Sequence, residues 1–263
     1  MDDNNLFLRI IEDRFDRFQK NYAMENGDFL SMEEQSRAAG FFRKYSSSGA
    51  FLYGGYDEAE RRIPLFMPDY LGVSDEAGII EYFKGSPSEC PLVILEVKVP
   101  RQEKAQLTHR DYLGALMGDG IRREKIGDIL VKPDGAQIVV LREMAEYLNE
   151  SLTGVGRASV STGIIGIDEI DPGEIIKEEL HLNIPSPRLD NVVSAVFSVS
   201  RKTAQEAISR GLVFIDGIET VKADVKMKPG QKLVLRGKGK AIYMGVSGVS
   251  RKGRDYIDVI RYK

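Results

Sequence analysis

The 263-residue sequence is poor in the residues from which many sites are built. It has one cysteine, Cys90, so an intramolecular disulfide framework and Cys-rich zinc or iron–sulfur centres are excluded. Its two histidines, His109 and His181, are too far apart to suggest a His-based metal motif. Tryptophan is absent, and no apolar run approaches the roughly 18 residues that span a bilayer. The opening Met1-Asp-Asp-Asn-Asn5 is acidic where a secretory leader is basic. These features predict a soluble, cytoplasmic protein without membrane association, metal or cofactor. The 42 % hydrophobic share, with 11 Tyr and 11 Phe, suffices for packed cores, and the length suggests two or more domains.

Charge is unevenly divided. Residues 186–263 hold 16 Lys and Arg against 7 Asp and Glu, a net of +9. Residues 1–185 hold 21 cationic against 33 acidic side chains, a net of −12. A compact basic segment on an acidic chain is the electrostatic footprint of a polyanion-binding module.

Periodicity organises the rest. Leu6 to about Met24 reads as an amphipathic helix. A second helix begins at Ser31, a cap that Glu34 can answer three residues on, and stops at Ser46-Ser-Ser-Gly49. Phe51–Tyr70, interrupted by Gly54, Gly55, Pro64 and Pro68, reads as one or two short strands. There follow a strand at Leu92–Val99, a helix at Thr108–Met117, strands at 127–132 and 136–141 around Pro133-Asp134-Gly135, a helix at Arg142–Leu152, and a strand at Arg157–Ile167. Strand–helix–strand–strand–helix–strand is the order of a ferredoxin-like, RNA-recognition-like sandwich, a plan shared by many functions. Asp171–Pro187 carries Pro172, Pro185 and Pro187 around a short acidic helix and marks a boundary. The predicted class is α+β: an N-terminal helical region with short strands (1–75), a ferredoxin-like domain (76–170), a linker (171–185) and a basic RNA-binding domain (186–263).

In the last segment Leu189–Phe197 is helical, and Ser200 caps a helix that ends at Gly211. Ala204, Ala207 and Ile208 form its buried stripe, while Arg201, Lys202, Gln205 and Ser209 share a wet face suited to phosphate oxygens. Leu212–Ile215 is a strand that turns at Asp216-Gly217. The returning chain brings Lys222, Lys226, Lys228 and Lys232, then Arg236-Gly-Lys-Gly-Lys240. The expected result is one cationic face.

Arg188-Leu-Asp190, Ser200-Arg201, Ala204-Gln205, Ile208, Gly211, Asp216-Gly217 and Pro229-Gly230 leading to Arg236–Lys240 resemble the αL-type RNA-binding motif, named after the fourth protein of the small ribosomal subunit. That resemblance implies RNA contacts at Arg188, Ser200, Arg201, Lys202, Gln205, Lys222, Arg236, Lys238 and Lys240. Asp216 departs from it, since such modules often carry Asn there and a carboxylate repels phosphate. With Leu107–Leu116 and Ile126-Gly-Asp-Ile129, the chain as a whole is similar to bacterial YlmH-type proteins. Such proteins are often encoded near cell-division genes. The similarity implies a non-catalytic role on structured RNA, ribosomal RNA or tRNA, at the large ribosomal subunit in ribosome quality control.

Two alternatives stand beside it: an RNA-modifying enzyme with its site in the central domain near His109 or Asp111, and a protein-docking scaffold whose acidic front two-thirds binds a partner while the basic end tethers RNA. Other motifs carry less. His109-Arg110-Asp111 lacks the Asn of a kinase loop, Leu116 standing there, and reads as a helix start. Arg188-Leu189-Asp190 resembles a stretch of pseudouridine synthases, but opens a helix of the basic module, with Asp190 pairing to Arg188. Gly154-Val-Gly156 lacks the third glycine of a dinucleotide fingerprint, and Cys90 reads as a buried packing residue. The Tyr and Phe of residues 41–70 read as core.

Overall fold

The computed structural model describes residues 6–100, 107–118, 120–173 and 177–262. Met1–Asn5, whose acidity is noted above, lies outside them. The chain divides into two units, Met1–Pro172 and Gly173–Lys263.

The first unit opens with α1 (Leu6–Asn21), β1 (Glu25–Asn26), α2 (Met32–Tyr45), β2 (Ala50–Tyr53), β3 (Ile63–Phe66) and α3 (Glu76–Gly85). At α2 the expected capping box is present: the Ser31 hydroxyl accepts from Glu34 N–H while the Glu34 carboxylate accepts from Ser31 N–H at 2.7 Å. The strands form a sheet ordered β1-β3-β2. Phe42, Phe51, Tyr53 and Phe66 are buried and belong to the core as expected, whereas Tyr70, from the same stretch, is exposed.

Next come β4 (Leu92–Lys98), α4 (His109–Gly118), β5 (Ile126–Lys132), β6 (Gly135–Leu141), α5 (Arg142–Ser151), the small pair β7 (Gly154–Val155) and β8 (Ala158–Ser159), and β9 (Ser161–Ile165). The strand expected over Arg157–Ile167 is thus split into two. The antiparallel order β5-β6-β4-β9, with α4 following β4 and α5 following β6, is the split βαβ plan. Tyr112 and Leu116 of α4 and Ala145 and Leu148 of α5 pack with Val93, Leu95, Ile138 and Val140 on one face. The other face is covered too: Leu92, Ile94, Val139 and Leu141 share a core with Phe29, Tyr53, Leu65 and Phe83. An RNA-recognition sheet displays stacking aromatics on that open face; here the N-terminal region is packed over it.

The second unit has β10 (Lys177–Ile184), α6 (Leu189–Val196), α7 (Arg201–Ser209), β11 (Val213–Ile215), β12 (Ile218–Glu219), β13 (Lys232–Leu235), β14 (Gly239–Val249) and β15 (Asp255–Tyr262). Its sheet runs β10-β15-β14-β13-β11-β12. Here the linker reading is corrected. Glu174–Ile176 lie outside the described residues, but Lys177–Ile184 is no helix: it pairs antiparallel with β15 along its whole length. Leu180, Leu182 and Ile184 alternate toward the core, a period of two that helix geometry does not allow. Both helices lie on one face, where Leu189, Val192, Val193, Val196, Ala204 and Ile208 meet Val213, Leu233, Leu235, Ala241, Tyr243, Ile257 and Val259.

Asp216 and Gly217 have φ values of 51° and 80° and join β11 to β12 as the expected tight hairpin. The Asp216 carboxylate accepts from Lys232 N–H at 2.8 Å and from Gln231 Nε2 at 3.0 Å. The departure from Asn at this position therefore serves the fold: a carboxylate in the turn fastens the neighbouring strand.

Candidate nucleic-acid interface

The site is built around a buried charge. Leu189, Val192, Val193 and Val196 of α6 are apolar and draw the helix into the core, so that six of its eight residues are buried. Asp190, in its first turn, sinks with it and is 0 % exposed. A carboxylate removed from water is costly unless paired and hydrogen-bonded. Three side chains from both helices and their flanks supply the partners. Arg188 donates to Oδ1 from Nε at 3.2 Å and to Oδ2 from Nη2 at 3.4 Å. Arg201 donates to Oδ2 from Nε and Nη2 at 3.1 and 2.9 Å. Gln205 Nε2 donates to Oδ2 at 2.9 Å, and Asn191 N–H to Oδ1 at 3.1 Å. Burial by itself pushes the Asp190 carboxyl up. The bonds from Arg188, Gln205 and Arg201 outweigh it and bring the carboxyl down to about 2.

The arginines are not consumed by this. Their side chains stay 38 % (Arg188) and 55 % (Arg201) exposed. A guanidinium has five N–H donors in a planar fork, so each presents one edge to Asp190 and keeps another for an anion's oxygens. The segment from Ala223 to Met227 runs beside them. Asp190 N–H donates to Ala223 O (3.1 Å), Leu189 N–H to Val225 O (2.8 Å) and Met227 N–H to Pro187 O (2.9 Å). Exposed Lys222 and Lys226 thus flank the array.

Two expectations change. Arg201 and Gln205 do not stand on a free wet face, because Asp190 of the preceding helix lies against them. Ser200 Oγ accepts from Thr203 N–H at 3.0 Å and serves as a cap, and Ser209 Oγ donates to Glu206 O. Lys202, 88 % exposed with Glu206 at 4.0 Å, is the outward cation of this stretch. The single cationic face also resolves into two surfaces. Val213, Ile215, Leu233, Leu235, Ala241 and Tyr243 point toward the helices, so alternation puts Phe214, Lys240 and Arg236 on the opposite side of the sheet. There Arg236 lies 4.8 Å above the Phe214 ring and Lys240 Nζ 5.0 Å above Tyr262. Exposed Lys238 occupies the turn between β13 and β14. Arg188, Arg201, Gln205, Lys202 and Lys222 therefore belong to one surface, and Arg236 and Lys240 to another.

The central domain offers a poor acid–base site. The Asp111 carboxylate accepts from the hydroxyl and N–H of Thr108, both at 2.7 Å, at the start of α4. These bonds hold it below the usual carboxylate range, opposite to the shift a general acid needs. Cys90 is buried, and burial pushes its thiol up to about 11. His181 superficially completes a Ser–His–Asp set, but Ser247 Oγ (3.5 Å) and Asp258 Oδ1 (2.6 Å) both approach the same nitrogen, Nδ1. A relay needs the two ring nitrogens for the two partners.

Comparison with known proteins agrees with the YlmH-type resemblance read from the sequence. Residues 87–169 match the family described as "Putative RNA-binding domain in YlmH". The chain is 28 % identical over 246 residues, 93 % of its length and 90 % of the other's, to the "Ribosome-associated protein quality control protein P2" of Bacillus subtilis (strain 168). It is 18 % identical to the solved structure of "Cell division protein ylmH from Streptococcus pneumoniae", with a TM-score of 0.49, covering 65 % of this chain and 97 % of that one. The matched domain and the relative aligned over nearly the whole length show the YlmH-type likeness, and the matched domain lies in the first unit.

Proposed function

We propose, for a chain that carries a YlmH-type RNA-binding domain and aligns along nearly its whole length with a ribosome-associated protein, that it binds structured RNA on the large ribosomal subunit without catalysing a reaction. The RNA is ribosomal RNA or tRNA, the setting is ribosome quality control in the cytoplasm, and the segment 186–263 is the principal grip. The observation that carries this reading is the Asp190-centred array. Two arginines and a glutamine are fixed on one carboxylate, with guanidinium edges left over, at the starts of α6 (Arg188) and α7 (Arg201, Gln205) and near exposed Lys202 and Lys222. Duplex RNA hides its base edges in a deep groove, so recognition by shape and phosphate calls for such pre-set donors. Arg236, Lys238 and Lys240 then serve a second stretch of backbone on the other side of the sheet. The ferredoxin-like domain contributes outside its sheet, both faces of which are covered.

Crosslinking the full chain to ribosomes and mapping the attached peptides tests this. Adducts within Arg188–Gln205 and at Lys222 are expected. Adducts confined to residues 1–172 would move the grip to the first unit.

A further inference from the structure

We infer that Asp190 is a positioning residue that makes this surface select folded RNA over unstructured polyanion. The inference rests on the RNA-binding reading above and names what one residue of that site does.

A surface built only to attract phosphate has no use for a buried carboxylate. Asp190 takes one unit from the local positive charge and weakens the field toward any polyanion. It also takes on the cost of desolvation. What it supplies is geometry. Arg188 Nη2, Arg201 Nε and Nη2, and Gln205 Nε2 all converge on the single atom Oδ2, at 2.9 to 3.4 Å. Two long, rotamer-rich side chains are thereby held before any ligand arrives, so less ordering entropy remains to oppose binding. Their guanidinium planes are fixed relative to one another through one oxygen, itself anchored by the Asp190–Ala223 backbone bond. Arg188 and Arg201 each use two donors on the carboxylate, which leaves three on each fork for the non-bridging oxygens of a phosphodiester. A rigid pair of forks fits a backbone whose phosphates are themselves held in place, as in A-form RNA. A flexible polyanion can adapt equally well to loose cations and gains nothing from the rigidity.

Charge and geometry predict opposite signs, which makes the inference testable. In the full-length protein, Asp190→Asn removes the negative charge with little change of shape. Affinity is measured for a stem-loop fragment of large-subunit ribosomal RNA and for heparin, with unfolding followed in parallel. Positioning predicts at least a tenfold loss for the stem-loop, while heparin binding is unchanged or tightened. If both ligands bind more tightly, Asp190 merely drains charge and the inference is overturned. Should Asp190→Asn unfold the second unit, Arg201→Lys decides: it keeps the charge and loses the fork. It is expected to lower the stem-loop-to-heparin ratio, and an unchanged ratio overturns the inference. The RNA-binding reading itself fails in a different way. Lys202→Ala with Lys222→Ala would then leave the wild-type stem-loop affinity intact, and Asp190 would have no RNA site to arrange.

Discussion

Asp190 has no exposed surface, yet it determines what two exposed arginines can do. In Arg201→Ala the carboxylate loses the closest of its charged partners. A buried acceptor left short of donors costs roughly 1–3 kcal/mol, so the melting temperature of the second unit should fall measurably. Lys202→Ala, on the same helix, should leave it unchanged, because Lys202 is almost wholly in solvent. Acidity gives a second check. The Asp190 carboxyl is held at about 2, below the roughly 3.9 of an unfolded chain. Its contribution is therefore full above about pH 4 and is lost as pH falls toward 2. Acid unfolding of the wild type should include this component, and Asp190→Asn should lack it. The residues of this array were legible in the sequence as Arg188, Arg201 and Gln205. Their shared partner was read only as a mate for Arg188, because helical spacing within α7 carries no information about which side chain of α6 lies against it.

Elements that depend on local chemistry came through well. The capping box at Ser31 and Glu34 and the positive-φ turn at Asp216-Gly217 are signals written within four residues, and both are present as read. Ser31→Ala should cost about 1 kcal/mol of stability without altering RNA affinity, a pairing that thermal melts and binding measurements can check together. Replacing Asp216 by Asn keeps the left-handed preference but only one of the two acceptors, so the bond from Lys232 N–H or from Gln231 is lost and a small drop in stability is expected. Replacing it by Ala loses both, and the melting temperature should drop. Elements that depend on distant partners were harder to read. β10 is flanked by prolines and acids that suggested a helical linker; its alternating Leu180, Leu182 and Ile184 were the available signal. The β14–β15 pair, beyond the αL-type resemblance, went unread. In β14 the register shifts between Tyr243 and Gly245 and again between Val246 and Gly248, which breaks the period of two that marks a strand.

At the scale of the molecule, each unit has cores of its own. Among the described residues, most of the buried apolar side chains of the second unit form one cluster, and those of the first form three others. The charge division was legible from counting alone. The covering of the central sheet's second face was not, because the residues that cover it belong to the preceding region, from Phe29 to Phe83, outside the ferredoxin-like pattern. The central claim is that the cations around α6 and α7 grip RNA backbone, and the most direct measurement is the salt dependence of ribosome binding by the full-length protein. The comparison is wild type against Lys202→Ala with Lys222→Ala, two exposed substitutions that spare the core. Each lost phosphate contact should reduce the slope of log affinity against log salt by about 0.7 to 0.9, so the double variant should bind more weakly and show a slope shallower by about 1.5. An identical affinity and slope in a folded double variant would contradict the account.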